Sequence, residues 1–167
     1  MNLNDIRLTW LGHATFRIET PAGKTIIVDP WVMGNPKCPE TEKKIKKADV
    51  LLCTHGHFDH IGDAVEIAKK HNSMVVAIPP LAHWLEKKGV KEVSSMNKGG
   101  TQTVGDIRVP LVHADHSCGI TDGDQIVYGG EACGDVIEFS NGVKKFITQE
   151  TRTCLATWPS FAIYMRR

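Results

Sequence analysis

Val50-Leu51-Leu52-Cys53-Thr54-His55-Gly56-His57-Phe58-Asp59-His60 is the stretch that decides the fold. Its first four residues form an apolar run that reads as a short strand buried on both faces. Directly after it, three imidazoles and a carboxylate fall within six positions. In an extended loop His55 and His57 project the same way and can grip one ion, and Gly56 lets the backbone pass close between them. Asp59 and His60 open the helix that follows and reach toward a second ion. Imidazole and carboxylate suit zinc, and also manganese or iron, and a hydrolytic centre needs several such ligands plus an open position for water. A lone histidine on such a loop would be an ordinary polar surface residue. Four ligand-type side chains in six positions mark a metal site.

Working outward, Ala64, Val65, Ile67 and Ala68 with Lys69 and Lys70 fit an amphipathic helix. Met74 to Ile78 reads as a strand, and Leu81 to Lys88 as a second helix stopped by Gly89. Upstream, the apolar-rich runs Ile6 to Leu11 and Ala14 to Thr20 precede a turn at Pro21-Ala22-Gly23-Lys24. Thr25 to Val28 is then a strand ended by Asp29-Pro30, because a residue before proline is pushed out of the helical region. Trp31 to Glu40, with Gly34, Pro36 and Pro39, is a loop, and the lysines at 43, 44, 46 and 47 form a solvated face. From Thr101 the pattern turns to β: Ile107 to Val112, Gln125 to Tyr128, Val136 to Phe139 and Val143 to Ile147, the last two flanking a hairpin signal at Asn141-Gly142. Strands, then β-α-β-α, then strands again predict mixed α/β layers.

Composition limits the function classes. Twenty basic against nineteen acidic residues leave a net charge of +1, which gives no support to a nucleic-acid or membrane partner. The first five residues lack the basic and apolar regions of a signal peptide, and no apolar run approaches the ~20 residues of a membrane span. Five cysteines form no CxxC pair, so reduced thiols in a cytoplasmic protein are expected. At 167 residues the chain is long enough to bury ~70% of its unfolded surface in one domain.

Thr54-His55-Gly56-His57-Phe58-Asp59-His60 resembles the HxHxDH signature of the metallo-β-lactamase superfamily. The likeness extends to Leu11-Gly12-His13-Ala14, Val28-Asp29-Pro30, Gly34-Asn35-Pro36, Met96 to Thr101, Ala114-Asp115-His116-Ser117 and Tyr128-Gly129-Gly130. That set is similar to the metal-dependent hydrolases nearest the ascorbate-6-phosphate lactonase branch, over about residues 5 to 146. The resemblance implies an α/β fold, the amino-terminal part of a metallo-β-lactamase αβ/βα sandwich. It implies that His55, His57 and His116 bind a first metal, with Asp59 and His60 on a second. Spacing alone leaves His113 as open as His116, and the family pattern favours His116. Asp29 is expected to orient a ligand histidine through its other ring nitrogen. His13 either faces the site or is a satisfied turn histidine. Cys53 reads as a small buried apolar residue, Cys118 and Cys133 receive no role, and His71 and His83 are surface or packing residues. The implied activity is hydrolysis of a small-molecule ester, lactone or phosphodiester, with a divalent metal, zinc foremost, lowering the pKa of water toward ~7 and Asp59 orienting the nucleophile.

The carboxy-terminal residues depart from this pattern. The family continues after the hairpin with a strand ending in Tyr-His-Ala-Gly-Asp-Thr, whose aspartate bridges two metals, and later supplies a last histidine. This chain reads Phe146-Ile147-Thr148-Gln149-Glu150-Thr151, and no histidine follows His116. Joining the third base of each codon to the first two of the next, from Phe146 onward, permits the string Tyr, His, Ala, Gly, Asp, Thr. After one free position it permits Leu, Phe, Gly, Asp, Met, Ala, Leu, Ile, with Trp158-Pro159 forcing the alanine. The expected organisation is therefore an incomplete domain at 1–146 and an aberrant, frameshifted tail at 147–167, the alternative being a natural short variant. A DNA sequence with no frame spelling that string would end the idea. With only Asp59 and His60 at the second position, one ion or none is expected here against two in the intact family. Exposed apolar surface and low stability are expected as well, and the alternative function is an inactive metal-binding remnant.

Overall fold

A computed structural model of the chain describes residues 5–140 and, as backbone, 146–148. A six-stranded sheet carries β1 (Arg7–Trp10), β2 (Phe16–Glu19), β3 (Thr25–Val28), β4 (Val50–Leu52), β5 (Met74–Ala77) and β6 (Val93–Ser95) in chain order. β1 to β3 run antiparallel, and β3 to β6 run parallel. A second sheet is antiparallel, in the order β12 (Phe146–Thr148), β11 (Cys133–Phe139), β8 (Ile107–His113), β7 (Thr101–Val104). β9 (Gly119–Asp122) and β10 (Gln125–Tyr128) form a separate hairpin.

Strand alternation explains the layers. Ile27, Leu51, Val75 and Ala77 face the apolar stripes of α2 (Ala64–His71) and α3 (Pro79–Lys87), where Ala64, Ile67, Ala68, Leu81 and Leu85 are buried. Their neighbours Ile26, Val28, Val50, Leu52 and Val76 face the other way, onto Ile107, Val109, Leu111 and Ile137 of the second sheet. Each such side chain contributes roughly 1.5–3 kcal/mol by burial. Helices, mixed sheet and antiparallel sheet thus stack in that order, the α/β arrangement expected for the amino-terminal part of the sandwich. Among the described residues no helix is long and apolar enough to cross a membrane.

Several expected elements shift. Asp59 and His60 do not begin the long helix. They sit on a separate single turn, α1 (Phe58–Ile61), because Asp63 pins the chain behind it. The Asp63 amide donates to Pro30 O at 2.9 Å, and its carboxylate accepts from the amides of Val32 (2.5 Å) and Met33 (2.9 Å). α3 begins two residues early, with prolines at its first positions, where a missing N–H costs nothing. β11 begins three residues early, at Cys133. Gly134 and Asp135 join it because β8 pairs along one edge from Cys133↔His113 to Phe139↔Ile107. β6 and β9 are strands that the pattern did not announce. The Asn141-Gly142 turn and residues 149–167 lie outside the described residues, whereas Ile147 and Thr148 continue β12 beside Val136 and Asp135. Trp10, Met33 and Phe58 stand exposed.

Candidate metal centre

The carboxyl ends of the parallel strands β3 and β4 build the site, as open α/β sheets ordinarily do. β3 delivers Asp29, whose amide donates to Leu52 O at 2.9 Å, and β4 delivers Thr54 to His60. Gly56 is required at its position: a Cβ there would stand 2.5 Å from Ile120 Cγ1. Its amide donates to Cys118 Sγ at 3.2 Å, and the Cys118 thiol donates to Gly129 O at 3.1 Å. The Cys133 amide and thiol both reach Thr54 O, at 2.9 and 3.3 Å. Burial pushes the Cys118 thiol up, and the Cys133 thiol likewise with help from Asp135. Both stay protonated and serve as donors.

His55, His57 and His116 meet, with their ligand atoms within 4.8 Å of one another. His116 arrives on the loop leaving β8, and its ring centroid lies 4.6 Å from that of His55 and 5.0 Å from that of His57. His113 points elsewhere, to Asp115 at 2.8 Å, so the structure separates the two histidines that spacing could not. His13, Asp59 and His60 form a second group within the same 4.8 Å limit. The His55 and His60 rings are 3.9 Å apart, so the groups share a wall. His71 and His83 join neither group.

Asp29 organises both groups from complete burial. It accepts from the Thr54 amide and the Thr54 hydroxyl, both at 2.8 Å, and from His60 Nδ1 at 2.9 Å. A carboxylate only accepts, so the His60 proton sits on Nδ1 and the Nε2 lone pair faces the site. The Thr54 hydroxyl spends its proton on Asp29 and therefore accepts from His55 Nδ1 at 3.0 Å, which leaves His55 Nε2 bare as well. Burial first, and then the neighbouring imidazoles, hold the His55 pKa down to about 2, so it is a neutral donor at working pH. His57 is steadied by Ser117 Oγ, 3.1 Å from its Nε2.

The donor set fits a divalent cation. His55 Nε2 and His57 Nδ1 stand 3.1 Å apart. Two nitrogens sharing one tetrahedral or octahedral ion at ~2.0–2.1 Å stand roughly 2.9–3.4 Å apart. An unprotonated nitrogen whose tautomer is fixed from behind, as at His55, is what such an ion requires. The sequence carried the candidate donors of the HxHxDH stretch plainly. It did not announce the Ser117 prop or the thiol bridges, and of the two readings it left for His13 the structure places the ring beside Asp59 and His60.

A family model described as the beta-lactamase superfamily domain matches residues 7–138. The chain belongs to the metallo-β-lactamase superfamily. Within it, the chain is 68% identical to a UPF0173 metal-dependent hydrolase of Koribacter versatilis, covering 90% of this chain and 65% of that protein. It is 52% identical to another from Solibacter usitatus, covering 79% and 57%. Igni18, a metallo hydrolase from the archaeon Ignicoccus hospitalis, superposes with a TM-score of 0.69 at 29% identity, covering 83% of this chain and 57% of that one. The chain thus spans somewhat less than two thirds of the length of the curated superfamily relatives it matches.

Proposed function

We propose that this chain carries the metal-binding part of a hydrolase that cleaves a small ester, lactone or phosphodiester. The observation that carries the reading is the convergence of His55, His57 and His116 from two sheets, with the hydrogen bond behind His55 turning an unprotonated nitrogen toward the other two rings. A divalent ion held there, zinc by its taste for three histidines and an open position, supplies Lewis acidity and acidifies water. Asp59, 30% exposed in the adjoining group with His13 and His60, would orient the attacking water. Asp29 and Thr54 keep His55 and His60 in one tautomer throughout. The names of the Koribacter and Solibacter relatives support the reaction class, and the near-neutral charge supports a small substrate over a nucleic acid. Four buried free cysteines among the described residues fit a reducing, cytoplasmic setting.

A second reading has its own support. The bridging aspartate of the family pattern has no counterpart in Phe146-Ile147-Thr148-Gln149-Glu150-Thr151, where a frameshifted tail at 147–167 is proposed. On that reading the chain binds metal without turnover. Metal analysis beside an ester, lactone and phosphodiester panel separates the two, on this chain and on the frame-corrected protein. The hydrolase reading expects chelator-sensitive turnover, abolished in His116→Ala, by at least the corrected protein. Tight metal binding with no turnover by either supports the remnant. No metal in either ends both.

A further inference from the structure

We propose that His13 is the third ligand of a second metal ion, held with Asp59 and His60. The inference rests on reading the neighbouring cluster as a metal centre and extends it. His13 Nε2 lies 3.3 Å from His60 Nε2 and 3.2 Å from Asp59 Oδ2. Both spacings match donors sharing one ion at ~2.0–2.1 Å. The Asp29 bond at Nδ1 keeps His60 Nε2 unprotonated, so it faces His13 as an acceptor.

The backbone shows that the placing is built. His13 adopts φ +49°, one of four non-glycine residues with positive φ among the described residues, and Asp29 at +45° is another. Such conformations cost on the order of 1–3 kcal/mol and persist where the surroundings over-determine them. Here the surroundings are a closed turn. The Leu11 amide donates to Thr15 O at 2.9 Å, and the Thr15 amide donates to Gly12 O at 3.0 Å. Trp10 Nε1 donates to His13 O at 2.8 Å. Gly12, at φ +99°, lies so close to Lys37 that a Cβ would stand 2.8 Å from its carbonyl carbon. The Thr15 hydroxyl, 2.6 Å from Asp29 O, ties this turn to the peptide that orients His60. Trp31 packs edge-on against the His13 ring at 5.7 Å and limits its rotation. A turn that merely reversed the chain would need none of these restraints on the imidazole.

The consequence concerns stoichiometry. The sequence left the second position with Asp59 and His60, too few for a tightly held ion. With His13, residues 13 to 60 supply three donors for it, and the chain has a three-donor set for each of two ions.

The test counts ions. The full chain is stripped with a chelator and titrated with zinc or cobalt, with native mass spectrometry reading stoichiometry. Wild type is expected to take two ions. His13→Asn and His13→Gly, both compatible with positive φ, are expected to keep the first and weaken the second by ~100-fold. Retention of the first ion reports that each variant still folds. Histidine side-chain ¹⁵N spectra of wild type supply a measurement that needs no variant: His13 Nε2 shifts when the second equivalent of zinc binds. The proposal is overturned if both variants bind the second ion within threefold of wild type, if His13 Nε2 does not respond, or if wild type takes one ion that His13→Asn leaves untouched. That last result leaves the hydrolase reading intact, whereas no ion at His55, His57 and His116 overturns it.

Discussion

The two donor clusters share a wall, yet they are held by different chemistry. His55 and His57 are propped by the hydroxyls of Thr54 and Ser117, and the loop between them hangs on the Cys118 sulfur. His60 is propped by a buried carboxylate, and its partners His13 and Asp59 are 39% and 30% exposed. A carboxylate behind an imidazole makes it a stronger donor than a hydroxyl does. The first cluster thus consists of imidazoles alone around a buried His55, whereas the second includes a carboxylate and an exposed histidine. Asp29 connects them, because it grips Thr54 on one side and His60 on the other.

Removing that connection should produce the largest effect. Asp29→Ala strands the Thr54 amide, the Thr54 hydroxyl and His60 Nδ1 in a fully buried space and places alanine at φ +45°. Breaking a buried charged network costs about 3–5 kcal/mol. Urea unfolding should show that loss, and zinc titration should show both ions weakened. If only the second ion suffers, the clusters are independent and Asp29 is not their common root.

Next in size is the response of the metal-free protein to acid. His55 takes up a proton near pH 6.5 when unfolded but only near pH 2 when folded. Between those values the unfolded chain holds more protons, so stability falls as pH drops below 6.5. The limiting slope for one group is about 1.4 kcal/mol per pH unit, which amounts to about 2–3 kcal/mol from neutrality to pH 4.5. Urea midpoints across that range, compared with His55→Asn, isolate this contribution. Equal slopes in the two proteins would mean that burial does not hold the His55 imidazole neutral.

What the sequence made legible follows the same division. β3, β4 and β5 are short apolar runs because both of their faces are covered, so composition alone betrays them. The candidate donors at 55, 57, 59 and 60 are legible because local backbone geometry dictates their directions. His116 against His113 was not legible by spacing, since the choice depends on how β8 meets β11 near Cys133. His13 stayed open between the site and a turn for a related reason. Its role requires the turn at 11–15 to close over the end of β3, which no local pattern encodes. The break between α1 and α2 likewise depends on Asp63 capping amides thirty residues upstream.

A smaller effect should come from the sulfur bridge. Cys118→Ala leaves the Gly56 amide and Gly129 O without their partner in a buried space, at about 1–2 kcal/mol. Cys118→Ser, which can still accept and donate, should recover part of that loss in urea unfolding. If alanine is as stable as wild type, the loop is held by packing of Gly56 on Ile120 and not by the thiol.

The smallest effect separates the clusters most cleanly. Ser117 is exposed, and its hydroxyl touches the outer nitrogen of His57, 3.1 Å away. Ser117→Ala should therefore leave the unfolding midpoint unchanged, since water replaces the lost partner at a wet position. Metal affinity has a different dependence, because the hydroxyl restrains the His57 ring whose other nitrogen, Nδ1, faces His55. Loss of such a prop costs ~10-fold in affinity at the low end of the known range. The first ion alone should weaken, while the second, reached through Asp29 and His60, should stay as it was. A loss shared equally by both ions would show that the wall between His55 and His60 transmits ligand position from one cluster to the other, and that the hydroxyl-held and carboxylate-held halves act as one centre.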